Sequence, residues 1–294
     1  MGKKVILGFM ILAALPSFAS QSRTWTMYAP ATGEHEVVGR LVLPTGKTTF
    51  SNGESKLSGF MLSAEYSYGF NEFVALNVRQ GLYTDNKTTT TSSGSSSEYK
   101  RSGVGNTSLG VKALIPVDMV AAYYAVGYDS ALLAKPKENH QSNEDTAVND
   151  RNKLYFNFGG DVNFGLVSIG GTFDYNNYLD TDYEIVSSNG TSTTWKNKSG
   201  GGHTLGVHGQ LNFQPIKAGL SLQETVQYEY DSSVNNTTQT NSATTYRTYT
   251  LYAIAPFTQN LEGHFSVSKL DLKDSPVGAN MDYYMLMGGV RATF

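Results

Sequence analysis

Cysteine is absent, charged residues make up only 16% of the chain, and after the first twenty residues no apolar run is long enough to form a membrane-crossing helix. The first absence excludes disulfide scaffolds, thiolate metal sites and cysteine nucleophiles together. The low charge content, against about 25% in soluble globular domains, comes with a hydrophobic content of 39% that is also below average. The best later apolar run, Met119 to Val126, has eight residues and includes two tyrosines, whereas a spanning helix needs about 20. A helical membrane protein is therefore excluded. The formal net charge of −3 leaves no nucleic-acid footprint.

What fills the space is Gly (30), Tyr (19) and abundant Ser, Thr and Asn, residues that favour strands and turns over helices. The amino-terminus reads as a secretory signal peptide over residues 1–19. Lys3 and Lys4 supply the positive region, Val5 to Leu15 the apolar region, and Ser17-Phe18-Ala19 the small residues before a cut after Ala19. Residues 20–35 lack alternation and carry Trp25 and Tyr28. They are read as a periplasmic tail, the alternative being a short segment tucked into a barrel mouth.

From residue 36 to 294 the pattern is apolar alternation with period two, in stretches of ten or more residues, the length of a tilted membrane-spanning strand. Leu109, Val111, Ala113 and Ile115 share one face, while Ser108, Gly110 and Lys112 share the other. Twelve such strands are expected at 36–50, 56–69, 72–84, 104–116, 119–133, 153–164, 167–185, 202–214, 217–231, 246–257, 261–272 and 282–294. Short connections near Asn71, Asp118, Gly165, Pro215 and Asn260 alternate with long polar ones, of which 86–102 and 232–245 are low-complexity and expected to be mobile. The expected fold is all-β: a transmembrane antiparallel barrel of about 12 strands with short periplasmic turns and long extracellular loops. A secreted β-sandwich also alternates, but it would carry its polar face outward. Here the apolar face ends in aromatics such as Tyr66, Tyr68, Phe213, Tyr228, Tyr230 and Phe257, as interfacial girdles require.

The polar parity of each strand then gives a lumen. The inward candidates are Arg40, Glu65, Asn77, Arg79, Lys112, Asp129, Asn157, Asp161, Asp174, His208, Gln210, Glu229, His264 and Arg291, with Glu262 a further acid. Two readings of this mixture stay open: a hydrated passage for a small-molecule solute, or a closed network of ion pairs filling the lumen. Eight-stranded barrels are filled by side chains and sixteen-stranded ones are open, so twelve strands fall between. Glu224 and Lys269 break the rule by falling on the apolar parity; a register-shifting bulge or a place near the outer rim is expected at Glu224, and a change of register in the strand at Lys269, where Leu270 and Leu272 take the other face.

The last strand, with Tyr284, Leu286, Val290 and Phe294 on one face, resembles the carboxy-terminal insertion signal of outer-membrane barrels, with Ala292 where a second aromatic is common. The resemblance implies recognition by the barrel-assembly machinery and residence in outer-membrane lipid. Gly103-Val104-Gly105-Asn106-Thr107-Ser108-Leu109-Gly110-Val111-Lys112 resembles the Gly-x-Gly-Asp-x-x-Leu-Gly-x-Lys strand of a family of outer-membrane transporters linked with aromatic-compound degradation. Over these ten residues Asn106 stands where Asp is usual, and the resemblance implies transport without naming a solute.

Barrel phospholipases are similar in size, but their His-x-Ser-Asn-Gly type motif is missing, since neither Ser51-Asn52-Gly53 nor Ser188-Asn189-Gly190 has a histidine two residues before its serine. The five histidines, His35, His140, His203, His208 and His264, offer no metal-ligand spacing on one strand face. No enzyme, cofactor or metal site is expected. The functional expectation is passive passage of small polar solutes, with a non-conducting structural or display barrel as the alternative. If Phe294 is read by the assembly machinery, its deletion leaves periplasmic precursor and little membrane-inserted protein in fractionated cells; normal membrane levels would reduce Phe294 to an interface anchor.

Overall fold

The structure is a computed structural model that describes residues 27–50, 53–92, 95–117, 119–130, 137–139, 144–147, 151–187, 189–213, 215–234, 237–272 and 280–294. The expected signal peptide lies outside the described residues. Twelve long strands make the barrel: β1 (His35–Phe50), β2 (Gly53–Asn71), β3 (Val74–Ser92), β4 (Ser95–Val117), β5 (Val120–Ser130), β8 (Lys153–Asn163), β9 (Val167–Tyr178), β12 (Gly200–Phe213), β13 (Ile216–Gln227), β16 (Thr244–Thr258), β17 (Leu261–Leu272) and β18 (Asn280–Thr293). Each pairs antiparallel with its neighbours, and β1 closes on β18 in an unbroken register from Glu36↔Thr293 to Thr49↔Asn280. Closure removes the sheet edge, so no row of backbone donors and acceptors faces lipid unpaired.

The alternation read from the sequence is the alternation of the wall. Leu41, Leu62, Val78, Leu109, Val207, Leu220 and Leu251 are exposed on the outside, while Ser67, Ser108, Lys112, Asp161, Gln210, Ser266 and Arg291 are buried inside. An apolar belt around a polar interior is the arrangement of an outer-membrane barrel and the inverse of a sandwich. At one rim the turns are tight and locally capped: the Asn71 side chain accepts a hydrogen bond from the Phe73 amide at 2.9 Å, and that of Asn163 accepts from the Gly165 amide at 2.8 Å. Phe70, Phe73, Phe164, Phe213 and Phe257 stand exposed beside these turns as an aromatic girdle.

The opposite rim departs from expectation. The stretch 86–102 continues β3 and β4 as a paired hairpin from Asn86↔Arg101 to Ser92↔Ser95, and 232–245 contributes the hairpin β14 (Tyr230–Val234) with β15 (Thr237–Asn241). Threonine is a good strand former on both faces of a solvated ribbon, and backbone pairing needs no apolar side chain to bury. A third hairpin, β10 (Thr181–Val186) with β11 (Ser192–Asn197), replaces the upper part of the expected strand 167–185. Short strands β6 (Lys137–Asn139) and β7 (Glu144–Ala147) pair with β10 and β4, and β11 pairs with β14, tying the hairpins into a collar.

Neither expected bulge at the off-pattern charges is present. The registers of β13 with β12 and β16 run straight through Glu224, and those of β17 with β16 and β18 run straight through Lys269. Both side chains stay on the outer face near the collar and are answered there by partners: Glu224 by Arg247 at 2.7 Å and Lys269 by Asp271 at 2.9 Å. Pairing and proximity to the headgroups make these charges tolerable without a change of register.

Leu251 sits mid-strand, opposite the equally outward Leu220 and Val267. Leu251→Arg should cost about 2–4 kcal/mol in urea unfolding from lipid vesicles, the penalty for a cation on the lipid face at mid-membrane. A negligible loss would show that this face does not meet lipid.

Candidate functional site in the barrel lumen

The lumen is organised from the amino-terminal segment upward. Residues 27–34, expected in a periplasmic tail, instead lie in the turn-side half of the barrel, the arrangement weighed as the alternative. Met27, Tyr28 and Ala29 are buried, and Met27 and Ala29 pack with Leu114 and Ala121 in an apolar cluster flanked by Tyr123. The segment is stitched to β2 by the Gly33 amide donating to the Gly69 carbonyl at 2.7 Å and the Gly69 amide donating to the Glu34 carbonyl at 3.0 Å. Glycine is required at this seam, because a Cβ on Gly69 would lie 2.0 Å from the Ala31 carbonyl oxygen; across the lumen on β8, Gly159 leaves room for the Met27 side chain, whose sulfur would lie 2.7 Å from a Cβ there.

Above the seam the Tyr28 ring is surrounded by cations. Lys112 Nζ lies 4.1 Å from its centroid, the Arg291 guanidinium carbon 5.0 Å and that of Arg40 5.7 Å, within the range of cation–π attraction. The Tyr28 hydroxyl donates to Glu65 Oε2 at 3.0 Å and accepts from Arg40. These cations are held in turn by carboxylates. Lys112 Nζ, on β4, reaches Glu36 Oε1 of β1 and Glu65 Oε1 of β2, both at 2.9 Å. Arg40 reaches Glu65 Oε2 at 3.1 Å, and Asn77 Nδ2 donates to Glu65 Oε1 at 2.8 Å. Arg291 pairs with Glu262 and lies 3.9 Å from Glu36, while Glu262 also meets His264 Nε2 at 2.8 Å. Six strands adjacent across the β1–β18 seam, β17, β18, β1, β2, β3 and β4, thus converge on one polar cluster.

The remaining inward candidates fall into two groups. Asp161, His208 and Gln210 are buried toward the tight-turn rim, where the Tyr252 hydroxyl donates to Gln210 Oε1 at 3.3 Å. Arg79, Asp129, Asn157 and Asp174 line a cavity of about 490 Å³ on the collar side of Tyr28, together with Arg40, Glu65, Asn77 and Lys112 from the cluster. Arg79 and Lys153 both approach Asp129 Oδ2, at 3.6 and 3.5 Å. Glu229 is the exception. Strand β13 ends at Gln227, leaving Glu229 exposed in the link to β14, because the strand stops short of the expected residue 231.

Three contributors were not among the inward candidates. Glu36 shares the even parity of Arg40 on β1, and Lys153 the odd parity of Asn157 on β8, and both are the first residues of their expected strands, so carrying the alternation through to the strand ends finds both. Tyr28 gives no periodic signal, since it lies outside any strand.

No family model matches the sequence, and no curated protein matches it. Among solved structures, the chain is similar to an outer membrane channel from Pseudomonas putida F1, with 13% identity, a TM-score of 0.66, and coverage of 93% of this chain and 100% of that one. It is also similar to the transport unit of the autotransporter AIDA-I from Escherichia coli, with 11% identity, a TM-score of 0.57, and coverage of 99% and 98%. At such identities what is shared is the outer-membrane barrel fold.

Removing one member of a buried ion network strands its partners. Lys112→Met leaves Glu36 facing Glu65 without the ammonium between them, and should cost about 3–5 kcal/mol in unfolding from detergent or vesicles. A near-neutral result would mean that water solvates these carboxylates in place of Lys112.

Proposed function

We propose that this chain is a passive outer-membrane channel for small polar solutes, with the cavity as its binding and selection region and residues 27–34 as its barrier. The observation that carries this reading is the cavity itself: an unfilled polar space of about 490 Å³ lined by charged, amide and hydroxyl side chains, set directly above the amino-terminal segment. A lumen built only to hold the wall together would be packed through its length, as it is around Met27, Ala29, Leu114 and Ala121. A smaller gap of about 50 Å³ lies on the other side of the barrier, between Ala29–Thr32 and the wall at Asn71, Glu72 and Ala75, and it shares Lys112 with the larger space. The path therefore narrows at Tyr28, Ala29 and Lys112. Displacement of the segment joins the two spaces.

The second reading, a non-conducting structural or display barrel, is favoured by the packed turn-side half and by the paired Ser- and Thr-rich hairpins that rise from the other rim. Planar-bilayer recording separates the two. A channel gives discrete current steps, Tyr28→Ala raises the conductance or the open fraction by loosening the barrier, and Arg79→Glu moves ion selectivity toward cations. Silence from both the parent chain and Tyr28→Ala would overturn the channel reading in favour of the display barrel.

A further inference from the structure

Resting on the channel reading, we propose that the cavity selects small zwitterions, Asp174 receiving the solute's ammonium and Arg79 with Lys153 receiving its carboxylate. The charges around the cavity are unevenly satisfied. Arg40 and Lys112 are anchored on Glu65, with Glu36 as a second partner for Lys112. Arg79 and Lys153, by contrast, share a single carboxylate oxygen, Asp129 Oδ2. Two cations meet one anion there, and the Arg79 side chain is 47% exposed, so its guanidinium keeps donors available.

Asp174, on β9, is the complement. Among the described residues it has no hydrogen bond and no ion pair, and Lys153 is the charge that acts on it. Its register neighbours are Asn157 on β8 and Thr204 on β12, and Asn176 and Gln223 line the same space. A carboxylate short of partners among neutral amides and hydroxyls is a receptor for an ammonium group.

Opposed surplus charges within one cavity, bounded by a low-dielectric wall, set up a field across it. A simple anion gains at Arg79 and loses at Asp174; a simple cation does the reverse. A neutral solute gains at neither. A solute carrying both charges a few bonds apart satisfies both sides, and each end exchanges water for a charge-assisted hydrogen bond.

Proteoliposome swelling with L-serine, rated against the similarly sized neutral glycerol, tests this. The parent chain should admit serine faster than glycerol. Asp174→Asn should lower the serine-to-glycerol ratio by about tenfold, the effect of losing one charge-assisted hydrogen bond, with measurable glycerol entry reporting that the barrel is folded and open. Arg79→Gln should lower the ratio in the same sense, and Asp174→Glu should keep it. A ratio unaltered in both Asp174→Asn and Arg79→Gln, with glycerol still entering, overturns the zwitterion site and leaves the channel reading standing. If neither solute enters through the parent chain or any variant, the channel reading falls and this inference falls with it.

Discussion

Every backbone donor and acceptor of a chain that crosses lipid must find its partner within the protein, and the pairing of β1 with β18 is what meets that requirement here. Without it the sheet would have two edges in the bilayer, each a row of uncompensated polar groups. Closure then dictates the rest. It assigns one parity of each strand to lipid and the other to an enclosed interior, so the polar residues that period-two alternation forces into the chain accumulate at the centre. The same seam brings β17, β18, β1, β2, β3 and β4 into one arc, and the lumenal ion cluster is built on that arc.

Much of this was legible in the sequence because a barrel wall obeys a one-dimensional rule. Alternation gave the strand number and most of the inward side chains, and nine of the twelve barrel strands have both ends within about four residues of the expected bounds. The exceptions lie on the collar side: β3 and β4 run on to Ser92 and from Ser95, and β9 stops at Tyr178, the remainder of its expected strand belonging to a separate collar hairpin. What alternation cannot register is polarity on both faces. The Thr- and Ser-rich stretches above the membrane have no apolar parity, so they read as loops although their backbones pair. Partnering is equally silent in one dimension. Glu224 looked like a fault in register because Arg247, its answer, is 23 residues away on the next barrel strand.

Tyr28 marks the limit of such reading. Its place is set by a non-strand segment that folds back into the lumen, and nothing local in the sequence distinguishes that from a free tail. The supporting signals are distributed: Gly69 and Gly159 leave the room that the segment needs, and Lys112, Arg40 and Arg291 come from three strands to face one ring. Each is ordinary where it stands in the chain, and the meaning lies in their convergence.

The construction of that convergence bears on whether the segment can leave. Cation–π contacts contribute roughly 0.5–2 kcal/mol each, and one net hydrogen bond about as much, so the ring is held by several modest interactions rather than by a large apolar interface. The cations beneath it are meanwhile neutralised by the wall's own acids, Glu36, Glu65 and Glu262. If Tyr28 withdraws, none of those charges loses its carboxylate partner, and water can occupy the face the ring vacates. The wall is thus electrostatically complete without its amino-terminal segment. A segment that can be withdrawn without leaving a buried unpaired charge behind can move while the barrel stays folded, which is the physical condition that the proposed channel sets.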